Sequence, residues 1–282
     1  MSRPEHLAPP EVFYNDSEAG KYTHNSRIQS IQAEMTDRCL ELLALPPSST
    51  DPSLPKPSML LDIGCGSGLS GELITEDGHT WVGMDISPSM LDVALERDAE
   101  GDLLLADMGQ GIGFRAGVFD GAISVSVLQW LCNADTSSHT PSARLSHFFQ
   151  SLIASLTRGA RAVFQFYPES DQQIQLIMSH ATRAGFGGGL VVDYPNSKKA
   201  RKFYLVLMAG VNTSQKVEMP QALGGEDTVK NESRREKGKE RRKKGIKAKE
   251  WIKNKKEVYR KRGKEDVPRD SKYTGRKRRT RF

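Results

Sequence analysis

Cysteine is scarce in this chain. Its 282 residues hold three, Cys39, Cys65 and Cys132. No two of them form a C-x-x-C pair, so neither a disulfide framework nor a self-contained zinc site is indicated, and the metal-ligand set is read as none. The histidines His24, His139 and His147 form no spaced set, which leaves no metal site and no catalytic triad to argue for. No apolar run approaches the roughly 20 residues that cross a bilayer. The start, Met1-Ser2-Arg3-Pro4-Glu5-His6, lacks the apolar stretch of a secretory signal. The expectation is an intracellular, reduced, soluble protein with no membrane partner. Acidic residues thin out toward the end of the chain. Residues 1–210 carry 15 Lys+Arg against 24 Asp+Glu, a net of −9, while residues 211–282 carry 26 against 11, a net of +15. An acidic body with a strongly basic end suggests a polyanionic partner, most simply nucleic acid.

Residues 1–20 are polar, with Pro4, Pro9 and Pro10. Residues 23–45 read as a helix, because Ile28, Ile31, Met35, Cys39, Leu42 and Leu43 recur every three or four positions. Pro46 and Pro47 end it, and residues 46–57 form a Pro/Ser-rich exposed loop. Strand and helix patterns then alternate. Strands are expected at 59–63, 80–85, 102–106, 121–127, 161–166, 190–193 and 203–208. Helices are expected at 69–76, after Ser87 as N-cap with Pro88 at the first position, at 141–156 and at 170–184. Such alternation implies an α/β, Rossmann-like, doubly wound sheet, seven-stranded and mostly parallel. Residues 211–233 read as a linker. Residues 234–282 are dominated by Lys and Arg, relieved mainly by Trp251, Ile252, Val258 and Tyr259. A helix over 235–262 would have too few apolar positions to bury itself, so this tail is expected to be largely disordered until it binds.

The most telling stretch is Leu60-Leu61-Asp62-Ile63-Gly64-Cys65-Gly66-Ser67-Gly68. A short apolar run suits a buried parallel strand. The glycines permit a sharp turn and close approach to a ligand, and the following helix start favours a polar or anionic group. The string resembles the first motif of class I S-adenosylmethionine-dependent methyltransferases, although a dinucleotide-binding turn gives a similar one. Asp62, Asp85 and Asp107 close three successive strands at spacings of 23 and 22. Asp85 suits ribose hydroxyls, which a dinucleotide enzyme would also explain. Asp107 it would not explain. In methyltransferases of this class a carboxylate there sits near the adenine amino group, with the next residue, here Met108, against the ring. There is no Asn/Asp-Pro-Pro-aromatic motif of amino-group methylases and no Pro-Cys nucleophile for carbon-5 of pyrimidines. Cys132 is read as core. Trp130 suits either stacking on a planar base or capping the sheet. The segment from Phe13 through Arg27 can fold over a cofactor or be a capped surface helix. In the first case Tyr14 and Tyr22 line the pocket and Arg27 meets a carboxylate.

Several segments together resemble one family. They are Pro9–Tyr14, Lys21–Ile28, the glycine motif, Ser126-Val127-Leu128-Gln129-Trp130-Leu131-Cys132-Asn133-Ala134-Asp135, and Lys272–Arg278. The family is the eukaryotic 18S ribosomal RNA (guanine-N7) methyltransferases, also called the Williams–Beuren syndrome region methyltransferases, and the resemblance spans essentially the whole chain. It implies N7-methylation of one guanine of 18S rRNA in a pre-40S particle, in the nucleus and nucleolus with some cytoplasmic protein. It also implies a heterodimer with a small zinc-binding activator that covers apolar surface. On this resemblance residues 1–57 cover the cofactor, 58–210 are the methyltransferase domain, and 234–282 serve RNA binding or nuclear targeting. The cofactor is S-adenosyl-L-methionine. Its expected contacts are Tyr22, Arg27, Asp62, Gly64, Cys65, Gly66, Gly68, Asp85, Ile86, Asp107 and Met108, with Gln129 and Trp130 positioning the methyl-transfer end. The loop 46–57 looks longer than the family's. Alternatives are a tRNA or protein acceptor, or a mainly non-catalytic assembly factor.

Overall fold

The computed structural model describes residues 3–48, 56–134, 140–197, 199–210, 220–224, 253, 256, 260, 269 and 270. Most of the Pro/Ser-rich loop, most of the linker and nearly all of the basic tail lie outside the described residues. The chain divides into two units, 1–225 and 226–282.

The first unit opens with α1 (Pro10–Phe13), α2 (Asp16–His24) and α3 (Ser26–Leu43). The helix expected over 23–45 is found as α3, starting three residues later and ending at Leu43, while residues 23 and 24 close a separate helix, α2. Asn25 is extended rather than helical, and its side chain caps α3 by accepting from Arg27 N and Ile28 N. Asn15 does the same for α2 through Ser17 N and Glu18 N. The sheet follows as β1 (Met59–Ile63), α4 (Leu69–Glu76), β2 (Thr80–Asp85), α5 (Pro88–Glu96), β3 (Asp102–Leu105) and β4 (Phe119–Val125). It is completed by α6 (Pro141–Ser155), β5 (Leu156–Phe166), α7 (Asp171–Arg183), β6 (Gly187–Asp193) and β7 (Lys202–Met208). Strand order is β3-β2-β1-β4-β5-β7-β6. Only β7 runs against its neighbours β5 and β6.

Several boundaries differ from expectation. β4 stops at Val125 because Ser126 turns left-handed, φ 65°, and residues 128–132 form a 3-10 turn. β5 begins at Leu156, before Gly159, whose positive φ hides the strand from the pattern. β6 begins at Gly187. Its glycines carry no alternation to read, and a Cβ on Gly188 would lie 2.1 Å from Val206 O.

Alternation along β1 sorts residues between two cores. Leu61 and Ile63 join Phe119, Phe148, Phe149, Phe164 and Phe166 under α6 and α7. Leu60 joins Met35, Leu42, Ile74, Trp81 and Val163 under α3 and α4. Arg38 of α3 donates to both oxygens of buried Asp193 at 2.9 and 3.2 Å and to Gln221 O at 2.8 Å, while Leu223 N donates to Asp193 at 2.7 Å. This clasp seats residues 221–223 on the body. In the second unit, Lys256 Nζ and Asp270 Oδ1 lie 3.1 Å apart.

Candidate active site

The carboxyl ends of β1, β2, β3 and β4 meet at a cavity of about 950 Å³, its open mouth included. Open α/β sheets keep their ligands at this edge. Its floor is the turn after β1. Gly64 and Gly66 have φ of 73° and 52°. A Cβ on Gly64 would sit 2.2 Å from Val127, so glycine is required there for close approach as well as for the turn. Gly64 N and Cys65 N bond Met84 O, fixing the turn to the end of β2.

Asp85 organises the next wall. Its carboxylate accepts from Gly66 N at 2.8 Å and Ser87 N at 2.9 Å. Burial raises its pKa, and the amides of Ser87, Gly66 and Ile86 restrain that rise by stabilising the anion. Ser87 Oγ caps α5 at Met90 N and donates to Tyr14 O at 2.8 Å, tying the N-terminal segment over the site. Asp107, past β3, accepts from Gly109 N and from Arg144 of α6, each at 2.8 Å. Arg144 escaped the sequence reading. Its signal was a cation four residues before Phe148 on the apolar face of α6.

An aromatic wall closes the other side. Tyr14 lies 5.8 Å from Tyr22 and 6.0 Å from Trp130, and Phe13 backs it at 5.0 Å, all centroid to centroid. Burial pushes the Tyr14 hydroxyl to about 12 and raises Tyr22 further, so neither ionises near neutrality. Burial also raises the thiols of Cys65 and Cys132, the latter to about 12, which makes them inert as nucleophiles.

Of the residues singled out in the sequence, Tyr22, Gly64, Cys65, Gly66, Asp85, Ile86, Asp107, Met108 and Trp130 line the cavity. Four do not. Arg27 is exposed in the first turn of α3, because the Asn25 cap turns it outward, and Gln32 one turn further on lines the cavity instead, bonded to Tyr22. Asp62 is buried behind the turn and accepts from Ser70 Oγ. Gly68 is the N-cap of α4, facing Ala99 and Ala94. Gln129 is buried, spanning Ser126 O at 2.8 Å and Tyr167 N at 3.5 Å. Among the described residues, no group of three His, Cys, Asp or Glu is placed to hold a metal ion.

The residues present fit S-adenosylmethionine. A Cβ-free cradle at Gly64 and Gly66, a carboxylate at Asp85, and apolar Ile86 and Met108 beside Asp107 are of the kinds that a nucleoside's hydroxyls and flat base require.

Comparison with known proteins agrees. Residues 61–149 match a methyltransferase-domain family model, and residues 207–280 match the family described as methyltransferase involved in Williams-Beuren syndrome. The chain is 56% identical to an 18S rRNA (guanine-N(7))-methyltransferase of Arabidopsis thaliana, covering 100% of this chain and 99% of that protein. It is 53% identical to the Saccharomyces cerevisiae 18S rRNA (guanine(1575)-N(7))-methyltransferase over 100% of both. Among solved structures, a Haemonchus contortus phosphoethanolamine N-methyltransferase with S-adenosylhomocysteine shares the fold, with TM-score 0.52 and 17% identity over 70% of this chain and 58% of that one. A Haloferax volcanii putative methyltransferase, solved with a methyltransferase activator, gives TM-score 0.51 and 14% identity over 70% and 97%. The chain is an S-adenosylmethionine-dependent methyltransferase and belongs to the 18S rRNA (guanine-N7)-methyltransferase family.

Proposed function

We propose that the chain methylates N7 of one guanine in 18S rRNA during small-subunit assembly, in the nucleus and nucleolus, as a heterodimer with a small zinc-binding activator. The observation that carries the chemistry is a cavity whose described lining offers positioning groups: Asp85 and Asp107 are engaged by backbone amides and Arg144, and the Tyr14 and Tyr22 hydroxyls stay protonated near neutrality. Guanine N7 suits such a site, for it holds an in-plane lone pair and no proton. When bound, the cofactor supplies a methyl group on a sulfonium. Alignment of the acceptor with that methyl can contribute about 7–11 kcal/mol in favourable cases.

Asp85 is assigned to the ribose hydroxyls, Asp107 and Met108 to the adenine, and Gly64 and Gly66 to close approach. Arg144 holds Asp107 in place. Trp130 offers a face at the methyl-transfer end. Gln129 acts through its neighbours, bracing the turn that carries Trp130 against Tyr167. The activator reading draws support from β3. It is an edge strand, and Leu104 and Leu105 are 40% and 58% exposed on it. An apolar edge of this kind invites a pairing strand.

Mapping N7-methylguanine in 18S rRNA by chemical cleavage and primer extension tests the reading. Loss of the protein should erase one mark, and Asp85→Ala should fail to restore it. That change strands two buried amides and should weaken cofactor binding roughly a hundredfold. An unchanged 18S pattern overturns the proposal. Co-expression with and without the activator, followed by a cofactor titration, tests the heterodimer.

A further inference from the structure

The body of the chain is acidic, yet residues 198–202, Lys-Lys-Ala-Arg-Lys, hold four of the fifteen cations of residues 1–210. No acidic residue occurs between Asp193 and Glu218. Lys199 and Arg201 lie between β6 and β7, and Lys202 is the first residue of β7. Because β7 is antiparallel, its first residue lies at the carboxyl edge of the parallel strands, where the cavity opens. Phe203 pairs in register with Phe166, the last residue of β5.

The described residues of this connection are tied together by hydrogen bonds. Ser197 N donates to Tyr194 O at 3.0 Å, Arg201 N to Ser197 O at 2.8 Å, and Ala200 N to Ser197 Oγ at 3.1 Å. Lys199 and Arg201 are exposed. The Arg201 guanidinium carbon lies over the Phe203 ring, 5.3 Å from its centroid, and a stacked guanidinium keeps N–H donors for a phosphate. Lys202 Nζ donates to Tyr167 Oη at 2.9 Å and keeps two further donors. Tyr167 N in turn meets Gln129, the residue before the cavity-lining Trp130. Asp193, which faces Lys202 across the ladder, is buried and bound to Arg38, and Glu169 faces His6 at 3.5 Å.

We propose that the β6–β7 turn, through Lys199, Arg201 and Lys202, is a phosphate-docking rim that holds the RNA backbone on the β5 side of the cavity. It rests on the reading of the chain as an RNA methyltransferase. The cofactor groups occupy the β1, β2 and β3 ends, so the acceptor base enters past β4 and β5, and β7 is the next strand along. Residues already held by backbone hydrogen bonds lose little entropy on binding, and their cations offset the repulsion between an acidic body and a polyanion.

The test uses the full chain co-expressed with the activator, with Lys199→Glu and Arg201→Glu combined, against a fluorescein-labelled 18S transcript fragment. RNA affinity should fall at least tenfold at low salt. The slope of log affinity against log salt should shrink by about 1.4–1.8, two phosphate contacts' worth. The RNA KM should rise with kcat retained, and S-adenosylmethionine affinity by calorimetry should stay at the parent value, which also establishes folding. The milder Lys199→Gln with Arg201→Gln should fall between. Parental RNA affinity and salt slope in the charge-reversed variant overturn the rim. So does a loss of binding to polyglutamate with RNA binding intact, which would assign the turn to an acidic protein. Failure of the parent itself to methylate the transcript would instead sink the RNA-methyltransferase reading, while the binding measurements still decide the rim.

Discussion

Two carboxylates with the same sequence signature do different work. Asp62 and Asp85 both sit at strand ends, but Asp62 packs against α4 while Asp85 faces the cavity. Burial raises Asp62 to about 7. A carboxyl whose folded pKa lies above its unfolded value binds more protons in the native state. Wild-type stability should therefore fall as pH rises from about 4 to about 7, by at most about 1.4 kcal/mol per pH unit from this group. Asp62→Asn keeps an acceptor for Ser70 and removes the titration, so denaturant melts at pH 5 and pH 8 should show a flatter profile than wild type. Arg144 acts through an ion pair. It is buried against Asp107, and Arg144→Ala leaves that carboxylate with Gly109 N but without its cation, at a cost of about 3–5 kcal/mol. Calorimetric titration of surviving folded protein should also show weakened cofactor binding, and Arg144→Lys should recover part of both losses.

At the scale of elements, the legible parts were those whose apolar pattern matched their period. β1, β2, α4 and α5 appear where the sequence predicts them, because Leu60–Ile63, Thr80–Asp85 and the Ser87-Pro88 cap are local signals. The start of α3 at Ser26 rather than at residue 23 was illegible, since its cap Asn25 sits inside a continuous polar stretch. Arg27 was misplaced for the same reason, being read as cavity-facing without the turn that points it outward. The Asp107–Arg144 pair joins residues 37 apart, and no spacing rule reaches that far. Three glycines show a further long-range constraint. A Cβ on Gly71, Gly83 or Gly101 would fall between 2.0 and 2.7 Å from Trp81 side-chain atoms or, at Gly83, also from Cys65 Sγ. Gly71 lies within α4, where alanine's better helix propensity is worth up to about 1 kcal/mol. Gly71→Ala should nevertheless destabilise, because overpacking against a buried indole costs typically 1–3 kcal/mol and Trp81 is anchored by its Nε1 bond to Thr75. A urea midpoint at or above the wild-type value would show that the indole can shift to accommodate the methyl.

At the scale of the whole molecule, charge is divided in a way that suits a polyanionic substrate. A body of net −9 repels RNA, and a C-terminal segment of net +15 attracts it. The family match over residues 207–280 shows that this basic segment is part of what defines the family, as well as the fold that precedes it. The fold alone is shared with enzymes that act on small molecules, so the acceptor is not written in the sheet. If the tail binds phosphates directly, the affinity it supplies must depend on salt, because each neutralised phosphate releases condensed counterions. Residues 239–249 hold seven cations, Lys239, Arg241, Arg242, Lys243, Lys244, Lys247 and Lys249. Replacing all seven with glutamine in the full chain should lower the salt slope by up to about 5 on single-stranded RNA, at roughly 0.7 per contact. Cofactor affinity should not change, since the described lining of the cavity is drawn from residues 10–144. Fluorescence anisotropy across a salt series reads the slope, and equal slopes in the two proteins would mean that the run makes no contact with RNA. Combined with charge reversal at Lys199 and Arg201, the two losses should add, as expected for separate points of contact. A combined loss smaller than the sum would place the tail and the β6–β7 turn on the same phosphates.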